Sequence, residues 1–262
     1  MKRIHLFEFE DFKWFPNWLR DCMTNYIVTF HRLLGTHQQI AGLLDKCLKH
    51  SSEKKIVDLC SGGGGPMLEV KQTIEEEYHH EEVSLTFTDL YPNKKTANRI
   101  NSLSSKVSYK IESVNAAEVP HNLKGVRSMV CSFHHMNESI AESILRNAQE
   151  SKQSICIYEI SDNSFPKWIW WIAFPINIIS VFIITPFVRP FTWQQFVFTY
   201  LVPLLPIFIG WDGAVSNART YTLEDLNILL SKLEPSEAYT WEKGKMKGKG
   251  GNKLYLLGLP IE

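Results

Sequence analysis

The feature that most constrains the fold is a run of four glycines between an apolar segment and a proline. Ile56–Cys60 has the composition of a buried strand, Gly62–Gly65 follow it closely, and Pro66 suits the first turn of a helix. Glycines at such a turn let the backbone approach a ligand, and the next helix offers free N–H groups at its N-terminus. The pattern predicts a ligand-binding turn between a strand and a helix; a tight turn without a ligand is the alternative.

Strand-like and helix-like segments alternate around this turn. Apolar residues at helical spacing between Trp18 and Leu48 predict two helices that bend near Gly35. Further strands are predicted at Val83–Asp89, Val107–Ile111, Val126–Ser132 and Ser154–Ile160, and helices at Pro66–Tyr78, Lys94–Leu103 and Ser139–Glu150. Such alternation predicts an α/β fold in which helices cover both faces of a parallel sheet.

The C-terminal part adds one helix and a hairpin. Thr222–Leu233 is predicted to be helical, because Thr222 suits the N-cap and Asp225 follows three residues later. Two further strands are expected around Ala238–Glu242 and Lys253–Gly258, joined by a loop rich in glycine and lysine. Together with five parallel strands, this hairpin gives an expected sheet of seven strands.

Composition narrows the possible function classes. Lys plus Arg and Asp plus Glu are equal at 28 each, so no net charge draws this 262-residue chain to nucleic acid. The five cysteines are scattered and lack CxxC spacing, which indicates free thiols in a reducing compartment. The N-terminal segment mixes acidic and aromatic residues, unlike a secretory signal. We therefore expect the catalytic part of the chain in the cytoplasm, and the sequence leaves the oligomeric state open.

The glycine run does not match the dinucleotide fingerprint. A GxGxxG reading from Gly62 and Gly64 puts the third glycine at Met67, where a side chain would crowd the contact between helix and strand. This disfavours an oxidoreductase that uses a nicotinamide or flavin. The segment from Asp58 to Gly64 instead resembles the first motif of class I S-adenosylmethionine-dependent methyltransferases, an acid followed by alternating glycines. Cys60 departs from that motif, because the family usually has glycine there.

The resemblance implies a Rossmann-like, seven-stranded methyltransferase sheet and S-adenosyl-L-methionine as the cofactor. The methionine part of the cofactor is expected over Ser61–Gly63, its ribose hydroxyls on Asp89, and its adenine amine near Asn115. The expected cofactor-binding residues lie at the ends of the first four strands: Asp58, Ser61, Gly62, Gly63, Gly64, Asp89, Leu90, Asn115, Ala116 and Ser132. A helix cap at Asp89 and a turn at Asn115 are the structural alternatives.

Two adjacent histidines follow the fourth predicted strand. The segment from Met129 to Met136 resembles the strand-end segment, often with paired histidines, of small-molecule methyltransferases. The resemblance implies that His135 or His134 takes a proton from the methyl acceptor, since histidine titrates near neutrality. The alternative is that one ring packs and the other binds a backbone carbonyl. We expect no metal site, because adjacent side chains should point apart and no carboxylate cluster accompanies them.

A nearly uncharged segment interrupts the pattern after the fifth predicted strand. Arg189 is the only formal charge between Lys167 and Asp212. Trp168–Val188 is about as long as a bilayer core is thick, whereas Phe196–Trp211 is shorter. Tryptophans near the ends of these runs are typical of a membrane interface. Two spanning helices, a re-entrant or in-plane hairpin, and a soluble lid or dimer interface all stay open.

These boundaries divide the chain into an N-terminal helical cap (1–50), a cofactor-binding core (51–165), the hydrophobic insertion (166–211) and the C-terminal part of the core (212–262). The insertion should lie beside the cofactor, since it leaves the carboxyl edge of the sheet. Polar residues around it are candidates for binding the acceptor: Glu159, Asp212, Arg219 and Tyr221. A structural pair between Asp212 and Arg219 is the alternative.

The whole chain is similar to a bacterial group of methyltransferase-like proteins, through FEFEDFKWFP, the glycine run, SFHHM and WDGAVSNARTYT. We therefore expect S-adenosylmethionine-dependent methyl transfer to a small, hydrophobic or lipid-like acceptor. The protein should be membrane-associated, with its catalytic domain in the cytoplasm. A non-catalytic adenosylmethionine- or lipid-binding membrane protein with the same fold is the alternative. The sequence names neither the acceptor nor the methylated atom.

Overall fold

A seven-stranded sheet forms the centre of the protein. The computed structural model describes residue 1 and residues 3–80, 83–164 and 170–261. The strand order is β3-β2-β1-β4-β5-β7-β6, in which β1 to β5 are parallel and β7 runs antiparallel to β5. The strands are β1 (Lys55–Asp58), β2 (Ser84–Phe87), β3 (Val107–Tyr109), β4 (Val126–Val130), β5 (Ile155–Glu159), β6 (Tyr239–Gly248) and β7 (Gly251–Pro260).

Helices cover both faces of this sheet, as the alternating pattern predicts. The helices are α1 (Asn17–Leu34), α2 (Thr36–Lys49), α3 (Met67–Glu77), α4 (Lys94–Asn101), α5 (Glu138–Glu150), α6 (Trp170–Ile184), α7 (Trp193–Phe196), α8 (Leu204–Arg219) and α9 (Leu223–Leu230). Leu44, Ile74 and Ile100 bring α2, α3 and α4 into one buried apolar cluster. Leu145 and Leu229 bring α5 and α9 into a second cluster.

Local sequence signals place several element boundaries correctly. Gly35 adopts a left-handed conformation (φ 67°) between α1 and α2, where the break was predicted. Thr222 caps α9 and forms a capping box with Asp225. The parallel strands are shorter than predicted: β1 ends at Asp58, because Cys60 already belongs to the glycine turn.

The C-terminal hairpin corrects one prediction. The glycine- and lysine-rich segment is not a loop, because β6 and β7 pair continuously as far as Gly248 and Gly251. Only Lys249 and Gly250 connect the strands, and Gly250 takes the positive φ (79°) that such a turn requires. Glycine and lysine have low strand propensity, but β6 lies at the edge of the sheet, where lysines are tolerated.

The insertion is less regular than two simple helices. Residues 165–169, which include its predicted start at Pro166 and the predicted helix start at Trp168, lie outside the described residues. The second apolar run breaks into α7, a π-helical turn (Val197–Leu201) and α8. Pro203 precedes α8, which then continues past the predicted boundary at Trp211 as far as Arg219.

The N-terminal cap and the insertion share a third apolar core. Phe15, Met23 and Tyr26 of the N-terminal region pack with Val181 of α6 and Leu205 of α8. The hydroxyl groups of Tyr26 and Ser180 lie 3.0 Å apart and form a hydrogen bond between α1 and α6. One side of the insertion is therefore buried against the rest of the protein.

Within the described ranges, no single helix is both long and apolar enough to cross a bilayer. Trp193–Leu201 and Leu204–Arg219 reach the required length and composition only as a pair, and the pair is bent by 84°. The prediction of two spanning helices is therefore not supported.

Candidate active site

The glycine turn has the backbone conformation of a ligand-binding loop. Gly62, Gly64 and Gly65 all have positive φ values, of 50°, 98° and 48°. Cys60 also has a positive φ, of 56°, at the position where the resembled family usually has glycine. A side chain in this conformation costs roughly 1–2 kcal/mol. The loop therefore keeps a glycine-type path through Cys60, at some cost in backbone strain.

Neighbouring strand ends hold the loop in place. The carbonyl oxygen of Asp58 accepts hydrogen bonds from the Ser61 hydroxyl (2.9 Å) and from the amide (2.9 Å) and hydroxyl (2.8 Å) of Thr88. The Tyr109 hydroxyl donates to the Gly62 carbonyl at 3.0 Å. These bonds join the ends of β1, β2 and β3 into one support for the turn.

Asp89 lies at the mouth of the loop, directly after β2. Its carboxylate accepts hydrogen bonds from the Gly62 amide (2.9 Å) and the Tyr91 amide (2.8 Å). A carboxylate offers about four acceptor positions, so Asp89 keeps capacity for two hydroxyl groups of a ligand. Two hydroxyl groups of a ligand can bind a carboxylate with this free capacity.

Asp58 lies behind the loop and not at its mouth. Its side chain is buried and accepts a 2.6 Å hydrogen bond from the Ser128 hydroxyl. Burial raises the pKa of Asp58 to about 7. Asp58 therefore positions the ends of β1 and β4 relative to each other.

A cleft of about 1110 Å³ opens in front of the glycine loop. The loop and Asp89 form one wall, α1 forms a second wall, and the turn at Arg189 and Pro190 reaches it from the insertion. An added Cβ at Gly63 would lie 2.4 Å from the Cγ2 atom of Thr24, so α1 approaches the loop as closely as glycine permits. The N-terminal cap and the insertion thus enclose the predicted cofactor site.

The structure separates the predicted cofactor residues into two groups. Gly62, Gly63, Gly64 and Asp89 line the cleft. The others are close in the fold but do not line it: Asp58, Ser61, Leu90, Asn115, Ala116 and Ser132.

Four residues of the second group differ in their surroundings. The Asn115 side chain accepts a 3.0 Å hydrogen bond from the Ala117 amide, as in the alternative prediction of a turn former. Leu90 is exposed, whereas Ala116 and Ser132 are buried. Contact of these residues with a cofactor stays a prediction.

The two histidines form a 3-10 turn, Phe133–His135, after β4. Glu159 at the end of β5 accepts hydrogen bonds from the His134 amide (3.0 Å) and pairs with His134 Nδ1 (2.8 Å). The Nδ1 atom of His135 lies 3.0 Å from Asp11. Glu159 therefore positions His134, and no direct role in binding an acceptor follows from its contacts.

Both structural reasons for excluding a metal site are wrong. The rings of His134 and His135 lie side by side, with centroids 4.3 Å apart, instead of pointing apart. Glu8, Asp11 and Glu159 surround them with carboxylates. Local spacing does not reveal these carboxylates, because Glu8 and Asp11 reach the histidines from the far N-terminal segment. The absence of a metal site stays an untested prediction.

Arg219 is buried at the centre of these carboxylates. Its Nη1 atom lies 3.1 Å from Glu8 and 2.5 Å from Asp11, and its Nη2 atom donates to the His135 carbonyl at 3.3 Å. Burial alone would raise the pKa of Asp11, but hydrogen bonds with His135 and Arg219 hold it well below its ordinary value. Arg219 therefore joins the N-terminal segment to the histidine turn.

Asp212 and Tyr221 make similar connections. The Asp212 carboxylate accepts hydrogen bonds from the amides of Phe9 (2.8 Å) and Glu10 (3.3 Å), and burial raises its pKa to about 7. The Tyr221 hydroxyl donates to the Met136 carbonyl at 2.9 Å. The contacts of Asp212 and Arg219 are with other residues and not with each other. Instead, these residues hold the segments around the predicted reaction site.

Sequence reasoning missed the contribution of the N-terminal region to this site. Glu8 and Asp11 contact the histidines, and Thr24 contacts the glycine loop. The available signal was the presence of acids within an aromatic segment, where a buried acid needs a partner. The sequence alone does not identify that partner.

Comparison with known proteins adds evidence for the fold. No protein-family model matches the sequence, and no curated protein matches it. The structure is similar to that of the plantazolicin methyltransferase BpumL in complex with SAH, at a TM-score of 0.54 and 12% identity, with 94% of this chain and 98% of that chain covered. A BpumL complex with a monoazolic desmethylPZN analog and SAH gives a TM-score of 0.57 at 13% identity, covering 94% and 90% of the two chains. This chain has the class I methyltransferase fold.

Proposed function

We propose that the protein transfers a methyl group from S-adenosyl-L-methionine to a small acceptor. The observation that carries this proposal is the loop at Gly62–Gly65, which opens into a large cleft with the Asp89 carboxylate at its mouth. The class I methyltransferase fold supports it, as do the similar solved structures that contain SAH.

The reaction is a direct displacement at the sulfonium methyl group. The acceptor oxygen or nitrogen forms a bond to the methyl carbon while the carbon–sulfur bond breaks, which releases S-adenosylhomocysteine. Holding both reactants in line supplies most of the rate enhancement. The acceptor proton would pass to the histidine turn, where His135 is half-buried and His134 is buried against Glu159. This turn adjoins the cleft through Asp11, which lines the cleft and lies 3.0 Å from His135 Nδ1.

Replacement of Asp89 tests the cofactor site. Asp89→Ala removes the acceptor of the ribose hydroxyls, so the affinity for S-adenosylhomocysteine should fall at least about tenfold, equivalent to about 1.4 kcal/mol. Asp21→Ala is the matched control, because Asp21 also lines the cleft but belongs to α1 and pairs with Lys95 at 3.6 Å. Calorimetric titration measures both variants. Unchanged affinity in Asp89→Ala would refute the ribose assignment.

We further propose that the acceptor is hydrophobic or lipid-like and is methylated at a membrane surface. Ile172, Ile176, Ile179 and Ile183 are between 50% and 63% exposed, and their spacing puts them on one face of α6. Other exposed apolar residues continue this surface along the insertion: Phe187, Phe191, Trp193, Phe196, Leu201, Val202 and Ile207. An apolar surface of this extent on a protein marks an interaction site.

Attachment in the plane of the membrane agrees best with these contacts. The opposite side of α6 packs against α1 through Val181 and Tyr26, which leaves one face for lipid. A helix with aromatic and aliphatic residues on one side inserts that side into the region between headgroups and acyl chains. The catalytic domain would then lie at the cytoplasmic surface, with its cleft beside the membrane.

Vesicle flotation tests this second proposal. The wild-type protein should float with phospholipid vesicles in high salt, whereas a variant with Ile176→Asp and Ile183→Asp should stay in the dense fraction. Ile140→Asp is the control, because Ile140 is an exposed isoleucine on α5, outside the insertion. Failure of the wild-type protein to float, or its release by salt alone, would contradict insertion of the apolar face.

A further inference from the structure

We propose that Glu8, His134 and His135 form a binding site for a divalent transition-metal ion. The three side chains come from the N-terminal segment and from the turn after β4, and one potential ligand atom from each lies within 4.8 Å of the others. This inference does not depend on the methyl-transfer proposal, because metal binding is measured without substrate or cofactor.

The distances suit an ion held between the three side chains. His134 Nε2 lies 3.7 Å from Glu8 Oε1, and His135 Nε2 lies 3.8 Å from Glu8 Oε2. Ligand atoms about 2.0–2.2 Å from a tetrahedral zinc ion are separated by roughly 3.3–3.6 Å from one another. One ligand atom from each side chain lies within 4.8 Å of the others, so these atoms must approach one another by at most about 1.5 Å to coordinate an ion.

The second nitrogen of each histidine is also held in the way that metal-binding histidines require. His134 Nδ1 lies 2.8 Å from Glu159, and His135 Nδ1 lies 3.0 Å from Asp11. When Nδ1–H donates to a carboxylate, the Nε2 atom of a neutral imidazole carries a free lone pair. Carboxylates paired with histidines in this way orient metal ligands and strengthen their binding.

One of the proposed ligand atoms lacks a polar partner. His134 Nε2 has no hydrogen-bond partner among the described residues, and its residue is only 4% exposed. Glu8 Oε1, in a residue 2% exposed, makes no hydrogen bond but lies 3.1 Å from Arg219 Nη1. In the tautomer fixed by Glu159, a nitrogen lone pair faces a carboxylate oxygen, which is unfavourable without a cation between them. A bound metal ion supplies the missing partner of His134 Nε2.

The surrounding charges also favour a cation. Glu8, Asp11 and Glu159 contribute three carboxylates around the two histidines, and the guanidinium of Arg219 contacts Glu8 and Asp11. Arg3 adds a second guanidinium, which donates to the carbonyls of His134 (2.6 Å) and Met136 (2.7 Å). Three carboxylates still exceed two guanidinium groups when the histidines are neutral. This excess attracts a divalent ion, while Arg219 keeps its contacts with Glu8 and Asp11.

Two imidazoles and one carboxylate select the type of ion. Imidazole ligands suit Zn²⁺ and neighbouring transition metals, whereas Mg²⁺ prefers oxygen ligands and water. A site with three protein ligands leaves one coordination position for water or for an acceptor oxygen. With the ion bound, neither histidine has a nitrogen free to accept a proton, so the proton transfer proposed above belongs to the metal-free protein.

Cobalt titration tests the site on the full-length protein. After removal of metals with a chelator, addition of CoCl₂ should produce the visible absorption of four-coordinate Co²⁺ and saturate at one ion per chain. ZnCl₂ should abolish the absorption by competition. Absence of stoichiometric Co²⁺ or Zn²⁺ binding to the folded protein would overturn the proposal.

Variants identify the ligands. Glu8→Gln and His135→Gln should each weaken Co²⁺ binding at least tenfold, whereas His50→Gln should leave it unchanged, because His50 is an exposed histidine at the end of α2. Equal Co²⁺ affinity in all three variants would overturn the assignment. Binding of S-adenosylhomocysteine, measured on the same samples, separates loss of this site from loss of the cofactor site.

Discussion

Replacing Arg219 with methionine tests whether buried ion pairs hold the N-terminal segment over the histidine turn. The side chains of Arg219 and Glu8 are both only 2% exposed, with Nη1 and Oε1 3.1 Å apart. Arg219 also contacts Asp11 at 2.5 Å. Methionine keeps much of the apolar length of the side chain but leaves these carboxylates without their guanidinium.

The expected loss of stability is large for a single substitution. Removing one partner of a buried ion pair costs about 3–5 kcal/mol, because the other charge stays buried and uncompensated. For a chain of this size, that corresponds to a fall in melting temperature of roughly 6–20 °C. Arg146→Met is the control, because Arg146 forms a partly exposed pair with Glu142 one helical turn away on α5, where such pairs contribute about 0.3–0.5 kcal/mol.

Urea unfolding in chelator-containing buffer measures these differences without a contribution from metal. Glu8→Gln in the Arg219→Met background should restore about 1–3 kcal/mol, since it removes an uncompensated charge. A loss below about 1 kcal/mol in Arg219→Met, or no recovery in the double variant, would refute the account of this cluster.

Three further substitutions test the loop, the strand ends and a helix cap. Gly63→Ala should lower the free energy of unfolding by about 1–3 kcal/mol, because the added Cβ would clash with Thr24 Cγ2. Thr24→Ser in the same chain removes that methyl group and should restore the lost stability. Equal melting temperatures of Gly63→Ala and wild type would contradict this packing. Burial raises the pKa of Asp58 from 3.8 to about 7, so the folded state binds its proton more tightly, and the stabilisation present at low pH is lost as the pH rises through 7. Relative to Asp58→Asn, the free energy of unfolding of the wild type should fall by about 1.4 kcal/mol per pH unit between about pH 3.8 and pH 7. Urea unfolding at several pH values measures this difference, and parallel pH profiles of the two proteins would argue against it. Thr222→Ala should cost about 1 kcal/mol of stability by removing the N-cap of α9, and a thermal shift no larger than that of an exposed Ser→Ala control would count against the capping box.

Local patterns were sufficient to predict most of the fold. Alternating strands and helices predicted the parallel sheet, and the Thr222 cap and the break at Gly35 lie where short-range signals put them. The path of the glycine loop also follows from the sequence, because Gly62 and Gly64 need positive φ values that other residues rarely adopt.

Long-range contacts account for what the sequence did not reveal. Asp11 is 124 residues from His135 and 208 residues from Arg219, so no window of sequence shows that the three side chains meet. The break before α8 and the length of the C-terminal hairpin depend in the same way on tertiary packing and strand pairing. The site predicted from sequence therefore contained the glycine loop but lacked the N-terminal acids beside the histidines.

Calorimetric titration of the purified wild-type protein with S-adenosylmethionine, S-adenosylhomocysteine and NADH tests the central claim most directly. We predict micromolar binding of both adenosyl ligands at one site per chain and no binding of NADH. Such a result would leave the acceptor to be found, beginning with membrane lipids. Well-folded protein that binds neither adenosyl ligand would contradict the proposed methyl transfer.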